Sequence, residues 1–297
     1  MKWCSEMDLV AFPLYQQNMI LYATQLASSI SYSNIKIHLA ALKFFAKMHG
    51  YNSNFNTFEK LYLVLRGIRK TQGNSFKKNK RTPVTPTMLK IIRFNLFNSS
   101  IRYEDKLMIW AAMLVAFFGF LRVSEYTSIR VTSFDPSITL MFRDIEVNNN
   151  CCNVRIKYSK TDPFREGTNI RLAANQSILC PVDAVKIFIY VHPSRDGPLF
   201  RFQDGKNLTR KKITELLHEF GPRNDKNISS HSFRIGAATT AASAGFPRWL
   251  IQTLGRWSSN CFMEYIRIPD STINSVSRSL VTLSSTYDVY DPDLITP

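Results

Sequence analysis

The residues best placed to do chemistry lie between Ser229 and Arg267, in the stretch SSHSFRIGAATTAASAGFPRWLIQTLGRWSSNCFMEYIR. His231 and Arg234 stand three residues apart, so in a helix they would share one face and could contact the same small anion. A phosphate diester fits that description. Tyr265 follows in a second amphipathic segment, and its hydroxyl could attack the phosphorus.

Cleavage of a phosphodiester without a metal ion makes three demands on a protein. The charge that develops on the non-bridging oxygens has to be neutralised. The nucleophile has to stand in line with the scissile bond, and the leaving 5′ oxygen has to receive a proton. Paired arginines meet the first demand well, because a guanidinium fork binds phosphate oxygens bidentately.

Two motifs in this stretch, HSFR and GRWSSNCFMEYIR, resemble the C-terminal half of the tyrosine recombinases. This phage-integrase family has catalytic domains of the Cre and Xer type. The wording GRWSS and YIR is most similar to its eukaryotic mobile-element branch, the Crypton- and DIRS-like recombinases. The resemblance extends from about Pro13 to Arg267. It implies that Tyr265 attacks DNA, forms a 3′-phosphotyrosyl link and releases a 5′ hydroxyl.

The resemblance also implies where the two arginines lie. Arg122 in LRVSE resembles the family's first catalytic arginine and Arg234 in HSFR the second, while Glu125 would orient the Arg122 guanidinium. From the residues alone, Arg122 and Glu125 could instead form an exposed ion pair, worth at most about 1 kcal/mol. Arg122 directly follows a strongly apolar run, which favours a fixed position at the edge of a cleft.

A lysine in the segment YSKTDPFREG is the candidate general acid. Lys160 matches the family's lysine in a hairpin turn, and the wording SKTD favours it over Lys157, which stands three residues earlier. A turn lysine that is simply solvated is the alternative.

His231 is predicted to begin a helix, where the helix dipole favours an anion and a neutral imidazole. It could accept the tyrosine proton or donate a hydrogen bond to the phosphate. Family members place His or Trp shortly before the tyrosine, and here the position is occupied either by Arg256, nine residues before Tyr265, or by Trp257, eight before it. The indole N–H favours Trp257 as a donor, although a tryptophan in the core is the alternative.

The expected catalytic residues are therefore Arg122, Lys160, His231, Arg234, Trp257 and Tyr265, with Glu125 and Arg256 in support. No cofactor is expected, because the phosphotyrosyl link keeps the bond energy and rejoining needs neither ATP nor a metal ion. The five cysteines show no CxxC spacing, which favours neither a zinc site nor a disulfide framework. A reducing intracellular compartment fits best: the nucleus in a eukaryote, the cytoplasm or nucleoid otherwise.

The net charge of +16 favours a polyanionic partner, and double-stranded DNA is the partner that the motifs indicate. Four basic residues crowd a segment between Gly73 and Pro86 that reads as a linker. They could contact the DNA backbone or form a solvated loop; they are Lys77, Lys78, Lys80 and Arg81. In the family such proteins act as homotetramers on two DNA sites, so without DNA we expect a monomer or weak oligomer. No secretory signal and no membrane span are expected.

The hydrophobic pattern predicts a mainly α-helical protein with one small β-sheet, an α+β fold. Residues 1–74 read as a helical bundle, which in the family is the SAM-like core-binding domain. Residues 75–86 read as the basic linker, 87–284 as the catalytic domain and 285–297 as a polar tail. Strand-like runs flank the turn at Lys160, which predicts a β-hairpin. Helices are predicted at 182–190, 209–220, 231–244, 248–254 and 258–267.

The function predicted from these features is site-specific DNA recombination or integration by a mobile-element tyrosine recombinase. A type IB topoisomerase would use the same chemistry on one duplex. A domesticated DNA-binding protein that no longer cleaves is the third hypothesis. The presence of Arg122, Lys160, His231, Arg234 and Tyr265 together weighs against it.

Overall fold

The structure, a computed structural model, describes residues 2–51, 57–73, 75–76, 80–160, 162–192, 196–222, 225, 227–267, 273–274, 276 and 279. The chain forms two compact units, Met1–Asn79 and Lys80–Pro297, whose border falls within the segment predicted as the linker. The predicted combination of helices with one small sheet is confirmed. None of the described helices has the length and apolar composition needed to cross a lipid bilayer.

The first unit is a bundle of α1 (Lys2–Glu6), α2 (Gln16–Leu26), α3 (Tyr32–Met48) and α4 (Glu59–Gln72). Ser31 caps α3 by accepting a hydrogen bond from the Asn34 N–H at 3.4 Å, as its residue type favours. The Gln72 side chain fastens the end of α4 to the α2–α3 turn through the carbonyls of Ala27 and Ile30, both at 2.9 Å. One apolar core holds α2, α3 and α4 together: Leu14, Met19, Ala23, Ile35, Leu39, Ala46, Leu61 and Ile68.

The second unit is built around one buried helix. Its helices are α5 (Pro86–Phe97), α6 (Tyr103–Phe118), α7 (Val123–Tyr126), α8 (Pro181–Val191), α9 (Arg210–Phe220), α10 (Ser232–Ser243) and α11 (Arg248–Gly255). Every residue of α6 from Lys106 to Phe117 is buried, with α8 and α10 packed against it. The apolar run before Arg122 is therefore a core helix, and its end holds the Arg122 corner in a fixed place.

The sheet has the antiparallel order β1-β2-β3, with β1 at Ile145–Val147, β2 at Cys151–Ile156 and β3 at Thr168–Ala173. The strands β2 and β3 form the predicted hairpin, in which Val154 pairs with Ile170. Its connection carries Lys160 and is closed by Asp162, whose carboxylate accepts the Gly167 N–H at 2.8 Å.

The segment before α5 is attached to the start of α10. The Val84 N–H donates to the Ser232 carbonyl at 3.0 Å, and the Thr82 N–H to the Asn227 carbonyl at 3.4 Å. Gly236 makes this approach possible, because a Cβ there would lie 1.8 Å from the Val84 carbonyl oxygen. Lys80 and Arg81, which directly precede Thr82, thus lie next to a segment that is fixed beside α10.

The helix predicted at residues 258–267 is wrong. The chain forms a short 3₁₀ helix, Asn260–Glu264, and Tyr265 is the residue that follows it. Arg256 ends α11 in the left-handed conformation at φ 55°, so the chain leaves the helix axis there. The Thr239 side chain of α10 then engages the backbone at Tyr265 and Arg267, at 3.1 and 3.2 Å, in place of helical hydrogen bonds.

The C-terminal helical pattern predicted from Ile273, Val276, Leu280 and Val281 falls mostly outside the described residues. Ile273 and Val276 are described and exposed. The predicted polar tail, residues 285–297, lies wholly outside them.

Candidate active site

A buried carboxylate joins two of the predicted arginines. Glu125, the third residue of α7, is 2% exposed. Its Oε1 lies 3.0 Å from Arg122 Nη1, and its Oε2 lies 2.6 Å from Arg256 Nη2. Oε2 also accepts the Arg122 backbone N–H at 2.9 Å. Because one carboxylate fixes both side chains, Arg122 is held from two directions rather than by an exposed ion pair.

Ser159 adds a third group to this cluster. Its hydroxyl accepts from Arg122 Nη1 at 2.8 Å and donates to Glu125 Oε1 at 3.0 Å. Ser159 directly precedes Lys160 in the β2–β3 connection, so this contact ties the lysine turn to the arginine corner. Lys160 itself is exposed.

Arg234 is the largest of the fully buried side chains, at 1% exposure. Its Nη1 donates to the Phe120 carbonyl and its Nη2 to the Gly255 carbonyl, both at 2.5 Å. The guanidinium lies over the Trp257 ring, with Cζ 4.0 Å from the ring centroid. Burial, followed by the neighbouring Arg122, lowers the pKa of Arg234 to about 9, which leaves it charged at neutral pH.

Arg256 makes a second link to the same corner of the backbone as Arg234. Its Nη1 donates to the Gly119 carbonyl at 3.2 Å, so Arg234 and Arg256 both fasten the end of α11 to the Gly119–Phe120 corner. Burial is the main cause of a lowered pKa for Arg256, with Glu125 acting in the opposite direction. Glu125 thus pairs with Arg122 and Arg256, and with Arg234 nearby the cluster carries an excess of two positive charges.

Tyr265 stands between two rings. The centroid of its ring lies 5.2 Å from that of His231 and 5.4 Å from that of Trp257. Trp257 in turn covers Gly255 so closely that an added Cβ would meet a ring carbon at 1.6 Å. The tyrosine is half-buried, on a segment of chain that Thr239 holds. Tyr265, His231, Trp257 and Arg234 therefore form one continuous contact set.

His231 is the N-cap residue of α10, as its predicted place at the start of a helix required. Burial, followed by the charges of Arg234, Arg210, Arg81 and Arg122 in that order, lowers the pKa of His231 to about 4. The imidazole is neutral at pH 7 and can accept a proton.

The sequence matches no family model and none of the curated proteins. Solved structures do match. A variant of the Tn1549 transposon integrase in complex with transposon right-end DNA aligns with a TM-score of 0.57 and 15% identity, over 91% of this chain and 86% of that chain. The chain has the tyrosine-recombinase fold. The same integrase with circular-intermediate DNA aligns at a TM-score of 0.54 and 14% identity, over 90% of this chain and 86% of that one.

XerH recombinase, in a post-cleavage complex with its palindromic difH substrate, has the same fold. It aligns at a TM-score of 0.50 and 18% identity, over 81% of this chain and 68% of that chain.

Within this tyrosine-recombinase fold, most of the predicted site residues lie together. Arg122, Glu125, Arg234, Arg256, Trp257, His231 and Tyr265 are linked by the contacts given above. Lys157 is engaged elsewhere: its Nζ contacts Asp144 Oδ2 at 2.5 Å and the Pro136 carbonyl at 2.7 Å. In the described part of the chain, Lys160 forms no ion pair with Asp144. Of the predicted linker residues, Lys80 and Arg81 are described and exposed, whereas Lys77 and Lys78 lie outside the described residues.

Three residues of the site were not predicted from the sequence: Ser159, Thr239 and Arg210. Ser159 directly precedes Lys160 in the motif SKTD, and this position next to the candidate general acid was the one sequence feature that could have indicated it. Thr239 and Arg210 had none, because Thr239 acts through a contact to Tyr265 and Arg210 through its proximity to His231. Both depend on how α9, α10 and the Tyr265 segment meet in the folded unit.

Among the residues that the structure describes, no group of three or more His, Cys, Asp or Glu side chains could hold a metal ion.

Proposed function

We propose that this chain is a tyrosine recombinase that cleaves and rejoins DNA strands through a phosphotyrosyl intermediate at Tyr265. The observation that carries the proposal is the contact set in which Tyr265 meets His231 and Trp257, with Arg234 stacked on Trp257. The fold supports it, since XerH and the Tn1549 integrase are recombination proteins solved with DNA.

In this proposal Arg122 and Arg234 neutralise the scissile phosphate. A guanidinium has five N–H donors, so Arg234 keeps donors beyond the two that bind the Phe120 and Gly255 carbonyls. Arg122 is 16% exposed along its side chain, whereas Arg234 is 1% exposed. Arg122 is therefore the more accessible of the two guanidiniums, and Arg234 would bind the phosphate from the inner side of the site.

Proton transfers follow from the states of the titratable groups. The phenolic oxygen of Tyr265 forms a bond to phosphorus and gives its proton to the neutral His231. The bond from phosphorus to the 5′ oxygen breaks, and Lys160 protonates the leaving oxygen. The reverse attack by a 5′ hydroxyl rejoins a strand, and the phosphotyrosyl ester supplies the energy that ATP would otherwise provide.

Recombination requires two duplexes, and we propose that a homotetramer brings them together. The separate helical unit Met1–Asn79 supports recombination as the reaction, because it gives the chain a second compact unit that could contact DNA. A type IB topoisomerase would act on one duplex as a monomer. Synapsis of two labelled duplexes in a native gel distinguishes the two, and relaxation without synapsis would favour the topoisomerase.

The decisive experiment is an adduct assay. Nicked duplexes that trap a covalent product are incubated with the wild-type chain, and SDS-resistant complexes are scored by gel. Tyr265→Phe keeps the ring between His231 and Trp257 but removes the nucleophile, so adducts should vanish while duplex binding persists. Tyr190→Phe is the matched control, since Tyr190 is 90% exposed on α8. Adducts that persist with Tyr265→Phe would contradict the proposal.

A further inference from the structure

A second basic concavity adjoins the candidate active site. It is a groove of about 850 Å³ in the second unit, between the segment at Arg81, the start of α9 and the residues that precede α10. Arg81, Arg130, Arg210 and Lys211 contribute four positive charges to its lining. One carboxylate, Glu215, also lines it, but Glu215 lies 3.8 Å from Lys211 Nζ and 3.9 Å from Lys212 Nζ. The groove is therefore suited to an anion.

Ser230 lines this groove with a hydroxyl that lacks a partner. The residue is 1% exposed, and its Oγ makes no hydrogen bond within the part of the chain that the structure describes. Its backbone N–H is satisfied by Thr214 Oγ1 at 3.4 Å. A buried hydroxyl without a partner destabilises the fold, because the hydrogen bonds it made to water are not replaced. A ligand that accepts its hydrogen bond would remove that cost.

The position of Ser230 adds a second reason to expect an anion. Ser230 precedes His231, the N-cap of the twelve-residue helix α10. A helix of this length presents unpaired N–H groups and a partial positive charge at its start. The groove is thus lined by three features that favour an anion. They are the unpartnered Ser230 hydroxyl, the N-terminus of α10 and the arginine side chains.

His231 is the border between the groove and the candidate active site. On one side its ring faces Tyr265 at 5.2 Å between centroids. Arg210 and Arg81, which line the groove, are close enough to lower the pKa of His231, after burial and Arg234. Because Ser230 in the groove directly precedes His231, an anion bound there would lie near the phosphate that Tyr265 attacks.

We propose that this groove binds a DNA backbone phosphate adjacent to the scissile one, with the Ser230 hydroxyl, Arg210 and Arg81 as its donors. The inference rests on the proposed function, because it assigns the neighbouring phosphate of the same strand. Its role is to fix the register of the strand, so that the scissile phosphate rather than its neighbour faces Tyr265.

The first test uses cleavage. The strand position at which the wild type forms its adduct defines the scissile phosphate, and single methylphosphonates then replace its neighbours one at a time. One neighbouring position should lower the wild-type rate roughly tenfold, as expected for loss of a charged hydrogen-bond acceptor. Ser230→Ala and Arg210→Ala should lower the rate on unmodified DNA by a similar factor, but add little on that one methylphosphonate substrate.

Two controls separate this role from folding and from bulk charge. Ser230→Ala removes a hydroxyl with no protein partner, so its Tm should equal or exceed that of the wild type, whereas a structural role would lower it. Lys186→Ala removes one positive charge from α8, where Lys186 Nζ bonds Asn149 Oδ1 at 2.9 Å. Lys186→Ala should leave the methylphosphonate pattern unchanged. Equal losses for Lys186→Ala and Arg210→Ala, or losses equal on every substrate, would overturn the inference.

The second test does not need cleavage. Affinity for a random-sequence duplex is measured against salt concentration, and each arginine that contacts a phosphate contributes about one unit to the slope. Arg81→Ala and Arg210→Ala should each reduce the slope by about one. If the wild type forms no adduct but these slopes fall, the proposed chemistry fails and the groove stands. Unchanged slopes with normal adducts would refute the groove alone.

Discussion

The Arg234 guanidinium lies over the Trp257 indole, with Cζ 4.0 Å from the ring centroid. Cation–π contacts of this kind favour arginine over the face of tryptophan, and burial strengthens them. Trp257 also packs against Phe262 and Tyr265, at 5.8 and 5.4 Å between centroids. The tryptophan is thus a core residue and a wall of the candidate site at the same time.

Trp257→Ala should therefore lower the free energy of unfolding by about 3–5 kcal/mol, the range for loss of a large buried aromatic side chain. Trp257→Phe keeps an aromatic face under Arg234 and should cost less than half of that. Urea denaturation measures both. Adduct formation that survives in Trp257→Phe would assign the residue to support of Arg234, whereas its loss would assign the indole N–H to the phosphate.

Glu125 should be the most sensitive carboxylate in the unit. Glu125→Gln leaves the largely buried guanidiniums of Arg122 and Arg256 without a counter-charge, so we expect a loss of about 3–5 kcal/mol in unfolding free energy. Arg256→Met removes one of those guanidiniums. The double variant should therefore cost at least about 1 kcal/mol less than the sum of the two single changes.

Asp204→Asn provides the comparison, because Asp204 pairs with Lys206 at 2.7 Å on the surface. An exposed pair of this kind contributes at most about 1 kcal/mol. If Glu125→Gln costs no more than Asp204→Asn, or if the Glu125 and Arg256 effects simply add, the shared carboxylate is not what holds Arg122.

Much of this architecture was predictable from local pattern. The apolar run before Arg122 predicted α6, turn residues around Lys160 predicted the β2–β3 hairpin, and Ser31 predicted the start of α3. Each depends on residues close together in the chain. The helix predicted through Tyr265 failed because its outcome depends on Arg256 in a left-handed conformation and on Thr239, 26 residues away.

The candidate site, like the fold, could be predicted from the sequence only in part. The spacing of His231 and Arg234 and the resemblance to the tyrosine-recombinase motifs were enough to predict Arg122, His231, Arg234 and Tyr265 as site residues. They could not distinguish Arg256 from Trp257, because that distinction depends on direction: Arg256 turns towards Glu125, and Trp257 lies between Arg234 and Tyr265. The Glu125–Arg256 contact joins positions 131 residues apart, which no spacing within one motif encodes.

The stability of the protein should depend on pH through His231. Its pKa is about 4 when folded, below its ordinary value of 6.5, so the unfolded chain binds a proton that the folded chain does not between these values. Stability contributed by the neutral imidazole is therefore complete above pH 6.5 and is lost as pH falls towards 4. After allowance for solvent screening the loss is about 2 kcal/mol.

His231→Gln removes this titration and keeps a polar side chain at the start of α10. Urea denaturation at several pH values should give a shallower decline for His231→Gln than for the wild type between pH 6.5 and 4. His38→Gln is the control, since His38 belongs to the first unit. Parallel curves for the wild type and His231→Gln would show that the imidazole is not held neutral by its surroundings.

The Tyr265 segment should be loosened by a change in one hydroxyl group. Thr239 Oγ1 donates to the Tyr265 carbonyl at 3.1 Å and accepts the Arg267 N–H at 3.2 Å, so it is the link between α10 and the tyrosine. Thr239→Val keeps the shape of the side chain and removes both bonds. We expect faster hydrogen exchange at the Arg267 amide, and an altered adduct rate without loss of DNA affinity. Thr253→Val is the matched control, because the Thr253 hydroxyl bonds the Trp249 carbonyl within α11, at 2.8 Å, and so lies within one helix. Equal exchange at Arg267 in both variants would mean that the segment is held by its packing against His231 and Trp257 instead.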